Sequence, residues 1–301
     1  VANPTTAGSG GRSPLHGSSA KHSRPTGRPT ASGSSSPTVL ADAGAGAVAI
    51  QPASPPARLA KPLDAPGSAA KPGKRGSARA RRRRARARTS GRRLFAFDRR
   101  LDVPLVAGAD EAGRGCLAGP LVAAGVLFDY DALTTRELRS LSALNDSKQH
   151  SPQAREELYP LVLRCAARVA VVSRCVGGID ERGLHVTNLA ALRDALRNVT
   201  AGLAGEVMCL VDGFSVPEFE RPQRAIVDGD ATSAAIAAAS IVAKVARDRY
   251  MQHADALHPG WGFAEHVGYS TPVHREAIAR QGVSPLHRMS FQSLAYQQLA
   301  L

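Results

Sequence analysis

From residue 94 onward the apolar positions follow two different rhythms. Leu105–Ala109, Leu121–Phe128, Val169–Val176 and Val207–Val211 are short runs rich in Val, Leu and Ala, with Ala225–Val227 as a shorter fifth. Runs of that length, bounded by Gly, Asp and Pro, predict strands. Between them, 131–144, 151–165 and 187–203 repeat Leu, Ala and charge at helical spacing. The longest helical pattern is Ala234–His253, with Thr232 or Ser233 placed to cap its first turn. After Pro259 the chain turns loop-rich, with short helices expected around 272–281 and 289–300. Adjacent strands first, then strands alternating with helices, predict an α/β fold in which helices pack a mixed sheet.

The first 93 residues follow neither rhythm. They are dominated by Ser, Gly, Pro, Ala and Arg, and they carry 18 Lys+Arg against two acids, Asp42 and Asp64. Such a stretch cannot bury enough apolar surface to offset its ordering entropy, so a disordered arm is expected over 1–93, and one folded domain over 94–301. The arm holds +16 of the chain's formal charge of +14, which leaves the body at −2. It ends in a dense run, Arg79, Arg81, Arg82, Arg83, Arg84, Arg86 and Arg88. Its composition supports three readings: a salt-sensitive tether to nucleic acid, a solvated tail, or an Arg- and Ser-rich targeting leader. A start near Leu94 is a further expectation, because Val1 is not a Met.

The body is long enough for one domain with a sizeable core. No apolar stretch approaches the roughly 18 residues of a membrane span, since Lys244 interrupts the Ala-rich segment 234–246. Cys116, Cys165, Cys175 and Cys209 show no zinc or disulfide spacing and read as buried thiols of a reducing compartment. High Ala and Arg content suits a GC-rich bacterial genome and a cytoplasmic setting. At 4 % aromatics, a broad stacking platform for single strands is excluded.

Carboxylates gather at predicted strand ends. Asp110-Glu111 closes one apolar run and precedes Gly113-Arg114-Gly115; Asp212 closes another; Asp228 and Asp230 stand just before the long helix. Neighbours on a regular strand face opposite ways, so Asp110 and Glu111 share a site only where the strand ends or distorts. Acids without His or Cys companions suit hard ions such as Mg²⁺, and two such ions would support hydrolysis of a phosphodiester. An Asp beside Gly is otherwise an ordinary turn residue. Spacing does not choose Asp230 over Asp228 or Asp248.

The residues also resemble a known family. GADEAGRGCLAGPLVAAGVLF (108–128), LNDSK (144–148), IDERGLHVTNLAAL (179–192), GDATSAAIAAASIVAKVARDRYM (229–251) and GYSTPVHREAIARQGVSPLHRMSF (268–291) are similar, in order, to the motifs of ribonuclease HII. The resemblance spans about 94–293 and leaves the arm outside. It implies an RNase H-like fold: a mixed five-stranded sheet flanked by helices, with a C-terminal helical extension. It implies hydrolysis of RNA in RNA/DNA hybrids and at single ribonucleotides in duplex DNA, leaving 5′-phosphate and 3′-hydroxyl ends. A monomer, without a membrane, is expected.

Residue by residue, the resemblance places the family's four metal-binding carboxylates, for Mg²⁺ or Mn²⁺, on Asp110, Glu111, Asp212 and Asp230. Gly113, Arg114 and Gly115 match the loop whose backbone reads the 2′-hydroxyl, the group that separates RNA from DNA. Tyr269 matches the tyrosine that packs on the sugar, and Ser147 and Lys148 match a phosphate-contacting segment. Lys244, and Arg288 with His287, are further candidates for lying near the nucleic acid. Where the family often reads Lys-Gly-Asp-x-Lys-Ser, this chain has Asp228 and Thr232 in place of the two lysines. That change is expected to strengthen metal demand or weaken phosphate binding. The rival readings are a non-catalytic nucleic-acid binder led by the arm, and another nuclease or transposase on the same fold. The four acids argue against the first, and the ribose-reading features against the second.

Overall fold

In the computed structural model the described residues are 47–50, 91–291, 293 and 296. Apart from 47–50 and 91–93, the arm lies outside them, as does most of the helix expected at 289–300. The body opens with helix α1, residues 91–99, followed by strands β2 (Leu105–Ala112) and β3 (Leu121–Asp129). Helices α2 (Thr135–Ser140) and α3 (Pro152–Cys165) lead to β4 (Arg168–Arg174). Helices α4 (Val176–Arg182) and α5 (Leu184–Thr200) precede β5 (Val207–Asp212) and β6 (Gln223–Ile226). The long α6 (Ala234–Leu257) and the short α7 (Phe263–His266) and α8 (Pro272–Gln281) complete it.

The five strands of the body form the expected mixed sheet. β3 runs antiparallel to its neighbours β4 and β2, and β5 and β6 are parallel to β2. A further strand, β1 (Ala47–Ile50), pairs antiparallel with β4, giving the order β1-β4-β3-β2-β5-β6. It lies inside the segment whose composition reads as disordered. Its sequence, Ala-Val-Ala-Ile, is a short apolar run that the composition of the arm as a whole obscures, and an exposed sheet edge offers it backbone partners.

Alternate residues of β2 feed two cores. Val106 and Ala112 join a cluster beneath α3 and α6, whereas Ala107 and Ala109 join one beneath α5. Helix α6 approaches β2 so closely that a Cβ at Gly108 would stand 2.2 Å from the backbone carbon of Ala235. Only glycine permits that contact, and it seats the start of α6 beside Asp110.

Ser233 caps α6 by accepting from the Ile236 amide at 3.3 Å, which selects it over Thr232. A second anchor comes from α1, where Asp98, fully buried, accepts from the Ala235 amide at 2.9 Å and from the Tyr130 hydroxyl at 2.7 Å. Burial raises its pKa to about 6, although bonds from Ser233, Tyr130 and the backbone of the first α6 turn oppose the shift. Helix α1 also runs through the boundary expected at 93/94, because Leu94 and Phe95 are core residues. Cys116, Cys165 and Cys209 are buried as expected; Cys175 is exposed, since it precedes α4 rather than ending a core strand. Among the described residues no helix is long and apolar enough to cross a membrane.

Candidate active site

The site forms where β5 stops. The β2–β5 ladder ends at Ala109↔Val211, yet β2 continues through Asp110, Glu111 and Ala112 while still paired to β3. Those last three residues therefore line an open notch beside Asp212. Asp110 faces α6, where it bonds the Ser240 hydroxyl, and Glu111 faces α5, where it bonds Asn188. The strand remains regular, and its missing neighbour lets residues on opposite faces approach one site. Asp212 accepts from the Gly229 amide at 2.7 Å, which holds the Asp230 turn against it.

Electrostatics ties the four acids together. Burial pushes Asp110 well above the usual carboxylate range, and the neighbouring Glu111 and Asp212 push it further. Glu111 is raised by burial too, against opposing contributions from Asn188 and Arg114. Asp212 is raised by burial, and Asp228 adds to the shift. Asp230 rises through burial and through its hydrogen bond to Asp146, an acid that strand-end reasoning passed over. Asp146 also caps the single turn Ser147–Gln149 by accepting from the Lys148 amide at 2.8 Å.

Two cations face this charge. The Lys148 ammonium, largely exposed, lies 3.9 Å from Asp230, and Arg114 lies 3.8 Å from Glu111. Among the described residues no three His, Cys, Asp or Glu side chains form a ready-made metal-ligand group. The donor set nevertheless fits a hard divalent cation. Its donors are carboxylate oxygens, whose pKa values are raised mainly by burial and further by one another's charge, a cost that a bound cation would offset.

The loop after β2 is clamped by two arginines that are both fully buried. Arg247 donates to the carbonyls of Pro120 at 2.9 Å, Ala118 at 3.0 Å and Val267 at 2.8 Å. Arg288 donates twice to Gly119, at 3.0 and 2.8 Å, and once to Arg114 at 3.1 Å. Arg288 is thus an internal brace, not the phosphate contact its charge suggested. Gly113 turns with φ +91°, and a Cβ on Gly115 would meet open space. Tyr269, half-exposed, hydrogen-bonds Cys116 just past the loop.

Two other candidates stand differently from the expectation. Ser147 is buried, its hydroxyl 2.7 Å from that of Ser240 and its carbonyl accepting from Arg155, so it braces the site from behind. Lys244 pairs with Asp248 at 2.5 Å and stands 5.6 Å from the centre of the Tyr269 ring, which orients that ring and neutralises the lysine. Asp248 also pairs with Arg155 at 3.5 Å and takes no part in the notch. His287, 2 % exposed, faces His274 across 3.1 Å, away from any nucleic-acid surface. Sequence reasoning missed Asp146, Asn188, Ser240 and Arg247. Each lies inside a quoted motif block, and that membership was their only signal.

The sequence and the fold have known relatives. The Ribonuclease HII family model matches residues 107–294. The Ribonuclease HII of Mycobacterium tuberculosis H37Rv is 51 % identical over 189 residues, covering 62 % of this chain and 67 % of that protein. That of Mycobacteroides abscessus is 48 % identical over 187 residues, covering 62 % and 76 %. The crystal structure of ribonuclease H2 from Pyrococcus horikoshii superposes with a TM-score of 0.53 at 26 % identity, covering 65 % of this chain and 96 % of that one. With the matched region spanning nearly the whole described domain, the chain belongs to the ribonuclease HII family and is an endoribonuclease.

Proposed function

We propose that this endoribonuclease hydrolyses RNA in RNA/DNA hybrids and also cuts on the 5′ side of single ribonucleotides embedded in duplex DNA. The products would carry 5′-phosphate and 3′-hydroxyl ends, and the biological role would be removal of ribonucleotides from DNA. The observation that carries the reading is the notch itself. Asp110 and Glu111 lie beyond the end of the β2–β5 ladder, within electrostatic reach of Asp212, which in turn acts on Asp230, at the mouth of a glycine loop.

Asp110, Glu111, Asp212 and Asp230 would hold divalent cations, Mg²⁺ or Mn²⁺. When bound, such ions lower the pKa of water to make a nucleophile and stabilise the leaving 3′ oxygen. The chain's own residues do the rest. Gly113 and Gly115 keep side chains out of the way so that backbone groups reach a 2′-hydroxyl, and the two buried arginines fix that backbone in advance. Lys148, exposed and close to Asp230, is the cation best placed to meet a phosphate at the notch. Tyr269 offers a half-exposed ring to the sugar.

A labelled duplex carrying one ribonucleotide tests the reading. Metal-dependent cutting 5′ of that nucleotide is expected, abolished by EDTA and by Asp212→Asn. Tight binding with no cut in Mg²⁺ or Mn²⁺ would overturn it in favour of a binding protein.

A further inference from the structure

We infer that Phe214 is a second sugar-contacting aromatic, which grips the duplex on the flank of the notch opposite Tyr269; this inference rests on the substrate reading above. Phe214 follows Asp212 by two residues and is turned back beside it, its amide donating to the Asp212 carbonyl at 2.9 Å across Gly213. The ring is 51 % exposed, which leaves a large apolar face in water next to a cluster of carboxylates. Burial of that exposed half would be favourable, since Arg114 and His185 cover only part of the ring.

The surroundings of Phe214 parallel those of Tyr269. The Arg114 guanidinium lies 5.7 Å from the Phe214 ring centre, as the Lys244 ammonium lies 5.6 Å from that of Tyr269. Each ring is also braced from a second side: His185 packs edge-on against Phe214 at 5.5 Å, and Cys116 bonds Tyr269. Phe214 stands beside His185 of α5 and Tyr269 beside Lys244 of α6, helices that pack on opposite faces of β2, so the two rings lie on either side of the strand that leads into Gly113–Gly115. Arg114 also reaches Glu111 at 3.8 Å, which ties the Phe214 ring to the acids themselves.

The occupant follows from charge and shape. A notch lined by carboxylates repels phosphate, so a duplex must gain affinity from groups that do not depend on its charge. The sugar faces exposed along a minor groove are apolar, and a ring edged by a cation can cover one while the cation meets the adjoining phosphate. With one aromatic on either side of the strand leading into the loop, a nucleotide would be held from both neighbours while its 2′-hydroxyl faces the glycines.

The test uses the full chain and a duplex with a single ribonucleotide. Phe214→Ala is expected to raise KM about tenfold and to lower kcat by a smaller factor, with Phe214→Leu between the two. Phe214→Trp places a reporter beside a background of one other tryptophan, Trp261. Its fluorescence should change when duplex is added with Ca²⁺ in place of Mg²⁺, and the wild type's should not. An unchanged KM in Phe214→Ala, or an unresponsive Phe214→Trp when polarisation shows the duplex bound, overturns the inference while the substrate reading stands. A wild-type chain that neither binds nor cuts the duplex overturns both.

Discussion

The guanidinium of Arg247 occupies the space that a side chain on residue 113 would need: a Cβ on Gly113 would lie 2.0 Å from its Nε. With φ at +91°, Gly113 is also in a region that other residues adopt at a cost. Arg247 in turn satisfies three carbonyls of the loops around it. Gly113→Ala should therefore displace the loop and cut activity on an embedded ribonucleotide about 100-fold, with a smaller loss of stability. Arg247→Ala should cost about 3 kcal/mol or more of stability by stranding those carbonyls. Arg247→Lys should recover little of it, because an ammonium cannot reproduce the planar fork. Cleavage assays paired with urea unfolding separate the two effects; equal stability loss in both glycine and arginine variants would contradict the division of labour.

Much of this was readable in the chain, and the exceptions have physical causes. The strands 105–112, 121–129 and 207–212 and the long α6 announce themselves, since apolar period and capping residues coincide. Pattern alone left the convergence of Asp110 and Glu111 open, and only the resemblance joined them, because it depends on β5 ending at Asp212 while β2 runs on, a property of pairing that neither strand encodes alone. Charge was a poor guide to exposure. Arg288 looks like a phosphate contact in sequence, yet its partners are carbonyls of a loop distant along the chain. Phe214 carried no pattern at all.

The histidines of the C-terminal extension make a second prediction. His274 and His287 face each other at 3.1 Å, and His274 also meets the Tyr269 carbonyl at 2.9 Å. Burial lowers both pKa values to about 4. A histidine depressed in the folded state binds fewer protons there than when unfolded, so stability rises with pH between about 4 and 6.5 and is lost as pH falls through that window. Unfolding at pH 5 should show a loss of about 2 kcal/mol per histidine relative to pH 7. His287→Gln should flatten the slope; a slope unchanged by that substitution would assign the acid sensitivity elsewhere.

Asp98 has the opposite sign. Its folded pKa of about 6 exceeds the ordinary 3.8, so the native state holds a proton that the unfolded chain has released. Stability contributed by this group is thus present at low pH and lost as pH rises through about 6. Replacing it with Asn keeps a hydrogen-bonding cap and removes the charge. The stability difference between Asp98→Asn and wild type should shift in favour of the variant by about 2.5 kcal/mol from pH 4 to pH 8. Paired denaturation curves at the two pH values decide it, and a constant difference would exclude a buried charge at the start of α6.

Asp228 bears on metal demand. It is exposed, adopts φ +50°, and contributes to raising Asp212. Removing its charge should weaken the attraction of the notch for cations and its repulsion of phosphate together. Asp228→Lys is expected to raise the Mg²⁺ midpoint for cleavage about threefold and to lower KM for the duplex. Asp228→Asn, which tolerates the left-handed backbone, should do about half as much. Both effects should shrink at high salt. A midpoint unmoved by either substitution would leave the departure from the family's lysine without consequence.

The arm sets the last test, and the fold decides where to cut. Removing 1–93 would take three residues of α1, whose Leu94 and Phe95 are core, so the informative truncation is 1–90. Almost all of the arm's positive charge goes with it. If the arm neutralises phosphates, the dependence of log K on log salt should become shallower by about 0.9 for every phosphate that the truncated chain no longer neutralises. The position of the cut should stay the same, because the acids and glycines of the notch belong to β2, β5 and the turns beside them. Cutting 1–46 instead retains β1 and the arginine run before α1, so a slope that changes only with the longer deletion would place the phosphate-binding segment in 47–90. An identical slope in all three chains would make the arm a bystander in binding, and its charge would then call for a partner other than the substrate duplex.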